Sequence, residues 1–126
     1  MARNITFISY SSGEARQFFK EIENVEKVFS YVNKHYEENI TLQHAADAAG
    51  YSLYHFTRFF KKMTGMTFNE YLASLRIQKS AEILLETEKS ITEVAYLCGF
   101  NSIKTYNRVF KSLKKMSPRE FRKSNI

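Results

Sequence analysis

The sequence predicts an all-α fold of about seven helices, and three observations carry that reading. Apolar residues recur at helical spacing from Glu14 onward, helix-start signatures punctuate the chain, and one block of residues occurs twice. With 126 residues, 11 Phe, 8 Tyr and an apolar share of 44%, the chain can pack a core as one compact domain at most, with one or two appended elements.

The elements follow in order. The run Ile5-Thr6-Phe7-Ile8-Ser9-Tyr10 leans towards β structure and ends at Ser11-Ser12-Gly13, so a short strand or an unstructured start is expected. Ala15, Phe18, Phe19 and Ile22 then fall on one face of a short helix that needs a partner. Asn24 is expected to cap a separate helix with Val25, Val28, Phe29, Val32 and Tyr36 inward. Residues 1–23 are accordingly read as a linker or the remnant of an upstream effector domain, and 24–126 as the folded module. Within it, Thr41 caps a short helix carrying Leu42, Ala45, Ala46 and Ala49, which Gly50 stops. Ser52 caps the next, with Phe56, Phe59, Phe60 and Met63 inward and a stop at Gly65. Two short helices this close form a helix-turn-helix candidate.

The long helix is read over 67–87. Thr67 and Glu70 make a capping box, and Tyr71, Leu72, Leu75, Ile77, Ala81, Leu84 and Leu85 spread over more than one side, as befits a helix buried between neighbours. Ser90 and Glu93 open the next helix, stopped by Gly99, and Ser102 caps another with Tyr106, Val109, Phe110 and Leu113 inward. Ser117-Pro118-Arg119-Glu120 starts the last, with proline at the first helical position. The expected architecture is two helix-turn-helix units, 24–66 and 88–126, joined by a long central helix.

The repeat supports this division. At an offset of 49, Leu42, Ala45, Ala46, Ala49, Gly50 and Tyr51 fall on Ile91, Val94, Ala95, Cys98, Gly99 and Phe100. At an offset of 50, Ser52, Arg58, Phe60, Lys61, Met66, Thr67, Glu70 and Tyr71 fall on Ser102, Arg108, Phe110, Lys111, Met116, Ser117, Glu120 and Phe121. The change of offset places one inserted residue near Asn101.

Charge points to a partner. Residues 1–50 carry five basic and seven acidic side chains, a balance of −2, whereas 51–126 carry fourteen and six, a balance of +8, so the net charge of +6 arises in the C-terminal part. A basic helical module is the footprint of a nucleic-acid binder. Facing away from the apolar side of their helices are Tyr54, Thr57, Arg58 and Lys61 in the first unit. In the second they are Ile103, Lys104, Asn107, Arg108 and Lys111, with Thr105 at the margin. Arg and Lys donate to guanine, Asn pairs with adenine, and Thr or an apolar side chain meets the thymine methyl. Phosphates are expected at Lys61, Lys62, Lys111, Lys114, Lys115 and Arg119, and at the backbone N–H groups near Leu42 and Ile91. A helix of about 20 residues is about 30 Å long, close to the roughly 34 Å between successive major grooves on one face of the duplex. One chain can therefore reach two grooves of double-stranded DNA.

The run GFNSIKTYNRVFKSLKKMSPREFR resembles the signature of AraC/XylS-type transcription regulators, and SLYHFTRFFKKMTGMTFNEYLASLRI resembles the first half of the same domain. The resemblance covers residues 24 to 124. It implies DNA binding through adjacent major grooves and recruitment or positioning of RNA polymerase. It implies base reading from Tyr54, Thr57, Arg58, Ile103, Lys104, Thr105, Asn107 and Arg108. An effector-binding or dimerisation domain precedes this module in most such regulators. Where the family usually has glycine before the last capping box this chain has Lys115, so a left-handed lysine is expected there at a cost of about 1 kcal/mol.

Other classes fit less well. His35, His44 and His55 are scattered, Cys98 stands where the first repeat has Ala49, and no Cys/His group has zinc spacing, so neither enzyme, metal nor cofactor is expected. A single cysteine and no long apolar run fit a cytoplasmic protein with no membrane partner. The alternative to a DNA reader is a basic helical adaptor for an acidic protein.

Overall fold

The computed structural model describes residues 11–124 as seven helices, with no strand among them. They are α1 (Ser12–His35), α2 (Leu42–Ala49), α3 (Leu53–Thr64), α4 (Phe68–Glu86), α5 (Ile91–Leu97), α6 (Ile103–Lys114) and α7 (Pro118–Ser124). The β-leaning run at 5–10 lies outside the described residues. No described helix is long and apolar enough to cross a membrane.

The caps are local chemistry and fall where the sequence places them, with one exception. Thr41, Ser52, Thr67, Ser90 and Ser102 each accept the N–H of the residue three positions on, and Ser117 does the same for Glu120. Asn24 is the exception. Ser11 and Glu14 form the capping box, and α1 runs unbroken through Asn24 for 24 residues. Asn24 is 5% exposed and donates through Nδ2 to Tyr51 Oη at 2.9 Å. A capping residue is thus a buried cross-link, because S-x-x-E offered the backbone a better start thirteen residues earlier.

Two cores form on one rod. Val25, Val28 and Val32 of α1, Ala45, Ala46 and Ala49 of α2, and Phe56, Phe59 and Phe60 of α3 bury against Phe68 and Leu72 of α4. In the second core Ile77, Ala81 and Leu84 of α4 meet Val94, Ala95 and Cys98 of the α5 region, with Phe100, Tyr106 and Phe110. The mixed apolar faces of α4 are therefore two half-helix faces in succession, and the change-over falls between Leu75 and Ile77. Aromatic edges fill the first core: Phe60 stands edge-on to Phe68 at 5.7 Å and to Tyr71 at 5.7 Å.

The repeat is geometric as well as chemical. Tyr51 N–H donates to Ala46 O at 3.0 Å, and Phe100 N–H donates to Ala95 O at 3.0 Å, so both turns close by the same bond. Gly65 and Lys115 occupy equivalent left-handed C-caps at φ 78° and 67°, each donating its N–H to the lysine four residues back. The lysine adopts the conformation expected of it. Tyr106 replaces Phe56, and burial of its phenol pushes that phenol up to about 12, against the opposing effect of Ser80 nearby.

Candidate nucleic-acid interface

Each second helix of a helix-turn-helix has its apolar face in a core, so its opposite face is fixed outward. On α3 that face carries Tyr54, Thr57, Arg58 and Lys61, and on α6 it carries Lys104, Asn107, Arg108 and Lys111, all exposed. The spacing is i, i+3, i+4, i+7 in both, one side of a helix over two turns. Four side chains of one unit therefore have four counterparts at the same stations of the other.

The stripes are partly pre-arranged. Arg58 Nη1 donates to Tyr54 Oη at 3.2 Å, and its guanidinium lies 5.7 Å from the Tyr54 ring centre, so the pair forms one exposed unit. Thr57 donates its hydroxyl to Tyr54 O at 2.9 Å, so that donor is already engaged within the helix. Beside α3, Leu42, Lys61, Thr67 and Asn69 border a hollow of about 440 Å³ with Thr57 and Arg58. The starts of α2 and α4 face the same space.

The remaining candidates are placed differently. Ile103 and Thr105 are half-buried: Ile103 packs on the second core, and Thr105 accepts from Ser102 Oγ at 3.0 Å. They flank the stripe rather than belonging to it. Among the cations, Lys61, Lys62, Lys111, Lys115 and Arg119 are exposed and Lys114 is half-buried; Lys61, Lys111 and Arg119 form no ion pair or side-chain hydrogen bond among the described residues. Lys62 pairs with Glu21 at 3.1 Å, Lys114 donates to Gln78 Oε1 at 3.1 Å, and Lys115 folds back on Ser112 O at 3.1 Å. Leu42 and Ile91 are the first residues of α2 and α5, where N–H groups have no partner within their own helix.

Sequence reasoning did not reach two arginines. Arg76, half-buried in the middle of α4, donates through Nε to Tyr36 O and through Nη2 to Glu38 O, both at 2.8 Å. Arg122 of α7 donates to Leu84 O at 2.9 Å and Thr87 O at 3.3 Å. Each satisfies carbonyls at a helix C-terminus, a role guanidinium suits. The available signal was a lone arginine inside the apolar run Leu75-Arg76-Ile77. Cys98 is buried, and that burial, with Glu37 nearby, raises its thiol to about 11. It is a neutral core group.

Known proteins share this arrangement. A family model described as a helix-turn-helix domain matches residues 45–124. The chain is 32% identical to the transposon Tn10 TetD protein of Escherichia coli, over 88% of this chain and 79% of that one. It is 28% identical to the multiple antibiotic resistance protein MarA of Escherichia coli, over 81% and 80%. Against larger relatives it covers less: it spans 35% of the HTH-type regulator YdeC of Bacillus subtilis and 34% of the activator RhaS of an Enterobacter species. Among solved structures, the DNA-binding domain of AdpA, a global transcriptional factor in complex with a target DNA, superposes with a TM-score of 0.76. The identity is 26%, over 80% of this chain and 91% of that one. The C-terminal domain of the response regulator yesN from Fusobacterium nucleatum gives a TM-score of 0.75 at 26% identity, over 79% and 98%. By sequence, fold and paired helix-turn-helix units, the chain belongs to the AraC/XylS-type family of DNA-binding transcription regulators.

Proposed function

We propose that α3 and α6 enter two successive major grooves on one face of double-stranded DNA and read bases there to regulate transcription. The observation that carries this reading is the pair of equivalent exposed stripes at the same helical stations. The 19 residues of α4 span about 28 Å, short of the roughly 34 Å groove repeat, so the duplex bends towards the protein.

Arg58 and Arg108 are assigned to guanine or to contacts shared by both units. Thr57 is assigned to a thymine methyl, Asn107 to adenine, and Tyr54 and Lys104 to neighbouring positions. Ile103 and Thr105 set the margin of the second reading face. Lys61, Lys111 and Arg119 hold phosphates with the N–H groups at Leu42 and Ile91. Lys62, Lys114 and Lys115 add charge from their tethered positions.

In this reading 24–66 and 88–126 are the two reading units, 67–87 the connector, and the first half of α1 a linker to an effector or dimerisation domain. The family resemblance supports RNA polymerase as a partner and the cytoplasm as the place of action. Selection of bound sites from a random duplex library tests the proposal: two half-sites about one turn, roughly 10 base pairs, apart are expected. A single half-site, or no enriched sequence, would refute it.

A further inference from the structure

Arg76 is where the two units meet. The residue before it, Leu75, packs on the first core and the residue after it, Ile77, is 1% exposed in the second. Its guanidinium holds Tyr36 O and Glu38 O, the carbonyls at and beyond the end of α1, which is packed on α2 and α3. The turn of the second unit closes over the same spot. A Cβ built on Gly99 would lie 2.5 Å from Tyr36 O, 2.8 Å from Arg76 Nε and 3.0 Å from Arg76 Cζ. Gly50, its counterpart in the first turn, has nothing within 4 Å of such a Cβ. Both glycines are left-handed, at φ 79° and 95°, so the difference lies in the neighbours and not in the turn. The second turn is pressed directly against a backbone carbonyl of the first unit, beside the arginine that holds that carbonyl.

This contact bears on reading because two cores strung on one helix can otherwise hinge where they join. Turning half of α4, about 14 Å, by about 10° moves its end by about 2.5 Å, close to the roughly 3.4 Å rise of a base pair. A small bend is therefore enough to change the half-site spacing that fits. We propose that Arg76, seated where the end of α1 meets the Gly99 turn, is the positioning residue that fixes the placement of α6 relative to α3 and hence the spacing of half-sites the protein accepts. The inference rests on the two-groove reading above and adds to it what holds the grooves' readers in register.

The test uses the full chain and duplexes carrying the selected half-sites at the selected spacing and with one base pair added or removed. The wild-type protein is expected to lose about tenfold or more in affinity on either altered duplex, as for a mismatched position. Arg76→Met keeps the stem and removes the donors. It should bind all three duplexes within about threefold of one another while preferring the same bases within each half-site. Arg76→Lys, with one donor group in place of a two-pronged fork, should fall between the two and serves as well if the methionine variant folds poorly. The inference is overturned if both variants keep the wild-type spacing penalty. If the wild-type protein itself selects no paired half-sites, the two-groove reading fails instead.

Discussion

Lys115 is the residue whose cost can be isolated most cleanly. It holds φ 67° at a C-cap where the first unit has Gly65, and its ammonium group reaches only as far as Ser112 O in its own helix. Lys115→Gly is expected to raise unfolding stability by about 1 kcal/mol in urea titrations, since a left-handed lysine gives way to a residue that tolerates the conformation. Tyr106 offers a second comparison between repeats. Its buried hydroxyl finds no hydrogen-bond partner among the described residues, and the Ser80 hydroxyl beside it donates to Ile77 O at 2.8 Å. Tyr106→Phe, which restores the residue type of Phe56, should leave stability unchanged or raise it by about 1 kcal/mol in the same titrations. For reading, Asn107→Ala should relax preference at one base position by about 1–3 kcal/mol, whereas Lys111→Ala weakens binding to every duplex and lowers the salt slope by about 1. Binding over a panel of duplexes at several salt concentrations separates them, and uniform loss from both would refute the assignment. Both stripes were legible in the sequence because helical spacing fixes them. The half-burial of Ile103 and Thr105 was not, since it depends on the second core and on the Ser102 hydroxyl.

At the scale of elements, capping boxes define where helices begin, and their chemistry titrates. The bond from Thr67 N–H, aided by Lys61 nearby, holds the Glu70 carboxyl below its usual value, and the Ser11 and Ser117 N–H groups do the same for Glu14 and Glu120. A lowered folded value means that the contribution is complete above the unfolded value of about 4.3 and is lost as pH falls through the folded one. Glu70→Gln keeps the box without titrating, so its melting temperature should fall less than the wild type's between about pH 5 and pH 3. An equal fall in both proteins would show that this box adds nothing to acid sensitivity. Such starts are readable because their partners are three residues apart. Asn24 shows where that legibility stops: its bond to Tyr51 crosses 27 positions, and no local pattern separates a buried asparagine cross-link from a cap. Arg76 and Tyr36, 40 positions apart, lie further still beyond any local pattern.

For the molecule as a whole, function depends on two small cores keeping a fixed relation. Leu75→Pro removes one helical hydrogen bond and forces a clash in α4, at a cost of about 3 kcal/mol or more. It should abolish tight binding to paired half-sites in duplex titrations while circular dichroism retains most of the helical signal, because each core keeps its own apolar residues. Wild-type affinity in this variant would show that a continuous rod is dispensable. The division of α4 between two cores has one more consequence. Folding of either half lays down a turn of helix from which the other half's part of α4 can extend, so each unit favours its neighbour's folding without being needed for it. The cooperativity of the chain passes through one turn around Leu75 to Lys79 and the guanidinium lodged beside it, and partial unfolding should stop at that turn.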